Sequence, residues 1–371
     1  MRAKSSMAPT DPSTTTDRLF ALQALRAIAA ILVTIAHASE ESKHYFGFQP
    51  IFDTDPLGKG VDLFFVLSGF IIYFSSVITN KSLPINPRSF LLQRFIRVAP
   101  LYFIFTTLLV GVIYLTPSGV KEAIFDPLQI LTSYLFLPYE RYDGRIAPTL
   151  SLGWTLNYEM FFYLVFAFSL LLKPNRAAAI CITIIAALAI LGIFIPSSYP
   201  APIREWTDGI VLEFAFGIII AKTYQTLGRP KKTAWKTIMF LNIIGFGLLY
   251  FLNLPEKPFP LPRFVSAGIP SALIVASWVL FVAKTSDKNV PRILTALGDS
   301  SYSLYLSHRF VQRPIQMLLR KSELASSPSI GVIYLIAAVL GACIAGHFVY
   351  RKIEVPLLKY LRRVAYRNAS S

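Results

Sequence analysis

Cysteine and histidine are scarce in this chain of 371 residues, which has two of the first and four of the second. Cys181 and Cys343 both fall within apolar runs, so a disulfide framework is excluded. No His/Cys/carboxylate spacing suggests a metal, and none is expected. Acidic residues are also few, 20 against 36 lysines and arginines, leaving a net charge of +16. There is no P-loop, no G-x-G-x-x-G after a strand and no G-x-S-x-G elbow, which removes the commonest nucleotide-binding and hydrolase signatures. Charge of either sign makes up only 15% of the chain, whereas 54% is hydrophobic and the mean hydropathy is +0.55. A soluble globule of this size is less apolar, so the class is a polytopic membrane protein. The positive residues sit in short segments beside apolar runs. They therefore read as a topology signal, and nucleic acid is not expected as a partner.

Long apolar runs predict an all-α bundle of about ten transmembrane helices. Their approximate limits are 19–39, 57–78, 98–116, 151–172, 176–195, 205–224, 236–254, 264–284, 294–318 and 330–350. Residues 1–18, rich in Ser, Thr and Pro, read as a disordered tail, and 351–371 as a basic one; 19–350 form the membrane domain. With the N-terminus placed in the cytoplasm, 23 lysines and arginines fall on that side and ten on the other, with three inside spans. That bias puts both ends in the cytoplasm and the loop 117–150 outside. The piece Leu128–Leu137 in this loop is too short to span and reads as re-entrant or interfacial.

The first span carries the most informative pair. Arg26 and His37 are eleven residues apart, so a helix brings them to one face about 16 Å apart along its axis. An ionisable group at membrane depth costs about 2.5–3.5 kcal/mol, so this stripe is expected to face a protein interior. A snorkelling Arg26 and an interfacial His37 are the plain alternative.

Further polar groups follow in order. Asp62, at the outer start of the second span, lies near the depth of His37, where it either orients the imidazole or caps a helix N-terminus. Gly60 and Gly69 allow close helix approach. Arg94 and Arg97 share a face at the entrance to the third span, where two guanidinium forks suit phosphate groups; an ordinary positive-inside stop is the bland reading. Asn157 and Glu159 lie in the outer half of the fourth span, and Glu159 needs a partner such as Arg26 or His37. His308, in the ninth span, is either functional or a hydrogen-bonded core histidine.

Taken in order, Arg26-x10-His37, Val61-Asp62-Leu63-Phe64-Phe65-Val66-Leu67-Ser68-Gly69-Phe70, Arg94-x-x-Arg97, Trp154–Glu159 and Ser301-Tyr302-Ser303-Leu304-Tyr305-Leu306-x-His308 resemble the bacterial integral-membrane acyltransferase family 3. Gly153-Trp154-Thr155-Leu156-Asn157-Tyr158-Glu159 looks closest to its exopolysaccharide-production, succinoglycan-type acetyltransferases. The resemblance implies a multi-pass protein of the bacterial inner membrane that O-acetylates an exopolysaccharide, or its lipid-linked oligosaccharide precursor, from cytoplasmic acetyl-CoA. It implies His37 as the essential catalytic residue, with Asp62 or Glu159 orienting it, and Arg26, Arg94 and Arg97 holding the donor. Trp154, Asn157 and His308 are the expected substrate contacts. Many members carry two consecutive acids where Asn157-Tyr158-Glu159 offers one. General-base and acetyl-histidine chemistry both remain open, as do polysaccharide-assembly proteins and homo-oligomers as partners. The alternative function is a polytopic transporter of a small anion or protons, using the buried Arg, His and Glu.

Overall fold

The computed structural model describes residues 19–78, 86–116, 125–173, 176–228, 230–255, 261–282, 289–321 and 328–367. The expected tail 1–18 lies outside them. The described residues form helices throughout, and their one β contact is an isolated bridge between Glu140 and Ile146. In chain order the helices are α1 (Phe20–Phe46), α2 (Gly60–Tyr73), α3 (Pro87–Leu115), α4 (Pro127–Tyr134), α5 (Trp154–Leu172), α6 (Ala177–Gly192) and α7 (Ala201–Trp206). They continue as α8 (Leu212–Leu227), α9 (Trp235–Phe251), α10 (Ile269–Phe281), α11 (Arg292–Asp299), α12 (Ser301–Arg320), α13 (Pro328–Val349) and α14 (Val355–Arg367).

Among the described residues seven helical stretches are long and apolar enough to cross a membrane, and α6 and α9 are shorter apolar helices. The remaining expected span, the ninth, corresponds to α12. At 20 residues it has the length, but His308, Arg309, Gln312, Arg313 and Gln316 make it too polar to stand out by hydropathy. It is placed among other helices, with His308, Gln312 and Gln316 buried, as an intramembrane polar stripe requires.

Three boundaries differ from the sequence reading in ways that matter for the site. Helix α1 runs to Phe46, because the polar stretch 39–45 contains helix formers and the first left-handed stop is Gly47, at φ +65°. Helix α3 begins at Pro87, with the Asn86 side chain accepting from the Arg88 amide, so Arg94 and Arg97 lie well inside the helix rather than at its mouth. After α13 the chain makes one π turn, Tyr350–Glu354, and continues as the helix α14 to Arg367, so most of the segment read as a basic tail is helical.

The close packing of α2 on α8 depends on two glycines. A Cβ on Gly69 would sit 2.1 Å from the Phe214 carbonyl oxygen, and one on Gly217 would sit 2.1 Å from that of Val66. Helices α1 and α13 pack antiparallel: Phe46 meets Tyr334 at one end, and Ala30 packs with Ala342 and Leu304 further along. Outside the spans, 125–150 is tied to itself. Asp126 caps α4 and also accepts from Tyr139 at 2.7 Å, which holds its carboxyl below the usual range.

Candidate active site

Five helices bring the expected arginines together. A cavity of about 130 Å³ is lined by Arg26 of α1, Ser68 of α2, Arg94 and Arg97 of α3, Glu159 and Tyr163 of α5, and Tyr302 and Tyr305 of α12. Glu159 accepts from Ser68 Oγ at 3.1 Å and from the Tyr163 hydroxyl. The charges of Arg97, Glu354, Glu159 and Asp299 surround Arg26. The partner expected for Glu159 is thus the arginine group and not His37. Arg97 donates to Glu354, which also accepts from Ser303 Oγ at 2.5 Å and is only 1% exposed. Arg94 donates to Ser75 Oγ at 2.8 Å.

Further along α1, His37 is about one-third exposed, and its ring stacks on His308 with centroids 5.3 Å apart and planes 20° apart. His308 is fully buried, with Nδ1 2.7 Å from the Tyr305 carbonyl oxygen. A carbonyl only accepts, so Nδ1 carries the proton and Nε2 presents a lone pair; Nε2 is buried without a hydrogen-bond partner. Tyr305 lies 6.1 Å ring to ring from His308 and also lines the arginine cavity. Tyr305, His308 and His37 therefore form a file of rings from the cavity toward the more exposed end of α1.

Asp62 is not the carboxylate beside His37. Both its oxygens are taken by Arg263, at 2.9 Å each, in the bidentate fit that guanidinium and carboxylate favour, and Arg263 lies 5.0 Å over the Trp154 ring. The nearest acid to the imidazole is Glu40, with Oε2 3.6 Å from His37 Nδ1. Next to it, Glu41 is buried between Arg309 (3.2 Å), Arg313 (3.1 Å) and the Tyr334 hydroxyl. Trp154 packs edge-on against Phe65 and Tyr158, and the Asn157 amide is buried with neither atom hydrogen-bonded.

Glu40 and Glu354 are the residues missed by sequence reasoning. A signal existed for each: Glu40 follows His37 by three residues, the spacing of one helical face, and Glu354 is the sole acid among residues 351–371. Among the described residues no group of three or more His, Cys, Asp or Glu side chains is placed to hold a metal ion.

Residues 19–347 match a family of acyltransferase domains. The chain is 30% identical over 332 residues to the exopolysaccharide production protein ExoZ of Rhizobium meliloti (strain 1021), covering 87% of this chain and 94% of that protein. No solved structure matches.

Proposed function

The chain belongs to this family of membrane acyltransferases, and from that premise we propose that it moves an acetyl group from coenzyme A to a hydroxyl of an exopolysaccharide or of its lipid-linked precursor. The single observation that carries the reading is the arginine-lined cavity joined by Tyr305 and His308 to the partly exposed His37. Cations lining a cavity suit an anionic donor, and an imidazole at the other end of the file suits proton abstraction. The excess of basic residues in the segments that fall on the same side as the N-terminus supports a cytoplasmic donor side in a bacterial inner membrane.

In this reading Arg26, Arg94 and Arg97 bind the donor, and Glu159 fixes their arrangement from the opposite wall. His37 Nε2 takes the proton of the acceptor hydroxyl. The oxygen attacks the thioester carbonyl, the carbon–sulfur bond breaks, and the thiolate leaves with the proton returned by His37. Glu40, 3.6 Å from Nδ1, favours the tautomer that leaves Nε2 bare. His308 backs the His37 ring, and Trp154 and Asn157 offer an aromatic face and an amide to the sugar.

The test is the O-acetyl content of secreted polysaccharide, measured by mass spectrometry from cells with the gene, without it, and with His37→Ala restored in its place. Loss in the second and third strains is expected. Equal acetylation in all three would sink the proposal.

A further inference from the structure

The family match ends at residue 347, yet the chain continues as the π turn Tyr350–Glu354 and helix α14, which packs along α3. This segment reaches Arg97, which lines the arginine cavity. Glu354 is buried against Arg97, whose guanidinium also lies 5.4 Å over the Tyr302 ring. Arg97 therefore has an internal counter-charge and a fixed pose. Arg94, one helical turn away, is arranged differently. It donates to the neutral Ser75 hydroxyl and lies 5.5 Å over the Phe90 ring, its Nε is buried without a hydrogen-bond partner, and the carboxylate whose charge acts on it, Glu159, is shared with Arg26. Arg362, exposed on α14, is near enough to Arg94 for their like charges to act on each other. Arg26, Arg94, Arg97 and the nearby Arg362 have only the carboxylates Glu159 and Glu354 acting among them, and surplus positive charge of this kind is held at a cost that an anion relieves.

We propose that α14 is a wall of the donor site, with Arg362 and Arg94 meeting the phosphate groups of the coenzyme while Glu354 holds Arg97 as fixed lining. This rests on the donor reading above. Anionic lipid headgroups offer the same phosphate chemistry, and the exposed Lys359, Arg362 and Arg363 would suit them too. The experiment therefore separates the two sources.

Coenzyme A and pantetheine, which lacks the nucleotide phosphates, are titrated against the purified full chain in nanodiscs of phosphatidylcholine and of phosphatidylglycerol. The parent is compared with Arg362→Gln and Arg363→Gln. We expect Arg362→Gln to weaken coenzyme A binding about tenfold in both lipids, the scale of one charge-assisted contact. Pantetheine binding should be unchanged, and Arg363→Gln should stay within about twofold of the parent. Unchanged affinity in Arg362→Gln, an equal loss in Arg363→Gln, a loss shared by pantetheine, or a loss confined to the anionic lipid would each overturn the proposal; the last would assign α14 to headgroups. A parent that binds no coenzyme A at all would overturn the donor reading itself.

Discussion

The two ends of the ring file are built by different rules. At one, Arg26, Arg94 and Arg97 face Glu159 and Glu354 around a space of about 130 Å³. At the other, His37 and His308 are in contact, and the charged groups around them, Glu40, Glu41, Arg309 and Arg313, are paired with close neighbours. The first end leaves room and surplus positive charge, which is what binding an anion demands. The second leaves a lone pair, which is what moving a proton demands. The chemistry and the affinity of this protein are therefore expected to fail separately.

The sharpest test of that separation is His37. Replacement by Gln keeps a polar contact but removes the group that takes up a proton, so transfer should fall by about 10²–10⁴-fold while coenzyme A affinity stays at the parent's value. Activity within a few-fold of the parent, at matched donor occupancy, would end the general-base assignment and move it to His308. The reciprocal change is Arg94→Ala. Its loss should weaken coenzyme A binding by about 10- to 150-fold, corresponding to about 1.5–3 kcal/mol. Measured with saturating donor, the transfer rate should return toward the parent's; a rate that stays low would mean that the two ends are not separable.

A smaller effect distinguishes the acids. Glu40→Gln should lower the transfer rate several-fold at unchanged donor KM. Asp62→Asn, which leaves the Arg263 charge half-satisfied, should reduce the yield of folded protein and spare the rate per folded molecule. The reverse pattern, read from rate and size-exclusion yield, would restore Asp62 as the partner of His37. The smallest effect lies away from both ends. On α7, outside the spanning helices, burial and the nearby Asp208 push the Glu205 carboxyl up to about 8. The folded state thus prefers its neutral form, so its contribution to stability is full below the ordinary carboxylate range and is lost as pH rises toward 8. Glu205→Gln stays neutral at every pH, and its thermal unfolding should be flatter than the parent's between pH 5 and 8. An unaltered slope would place the titration elsewhere.

The spans were legible because the bilayer imposes one length and one solvent on each of them, and the apolar runs record both. Even α12 was drawn from the apolar runs, as 294–318, although its polar stripe leaves it below the hydropathy of the other long helices. The shared face of Arg26 and His37 was legible for the same reason: helix geometry is local. Partner choice was not. Asp62 is at the right depth for His37, but depth leaves the direction around the helix undetermined, and α2 turns Asp62 toward Arg263, 201 residues later in the chain. Glu40 was lost because the end of α1 was drawn at residue 39, at the edge of the apolar run, whereas the helix ends at its glycine. Glu354 was assigned to a tail because only a tertiary contact with Arg97 gives it a place.

Three helices carry a π turn, Phe74–Ile78, Phe264–Gly268 and Tyr350–Glu354. Each such turn accommodates an extra residue, which amounts to a step of about 100° in the azimuth of everything that follows it. At the third, the inserted residue sets the rotational phase in which Glu354 points at Arg97. Side-chain substitutions leave that phase intact. Removal of a single residue between 350 and 354 would restore an unbroken α-helix of the same hydropathy and turn Glu354 away from Arg97. The C-terminal arm is thus far less tolerant of changes in length than of changes in composition.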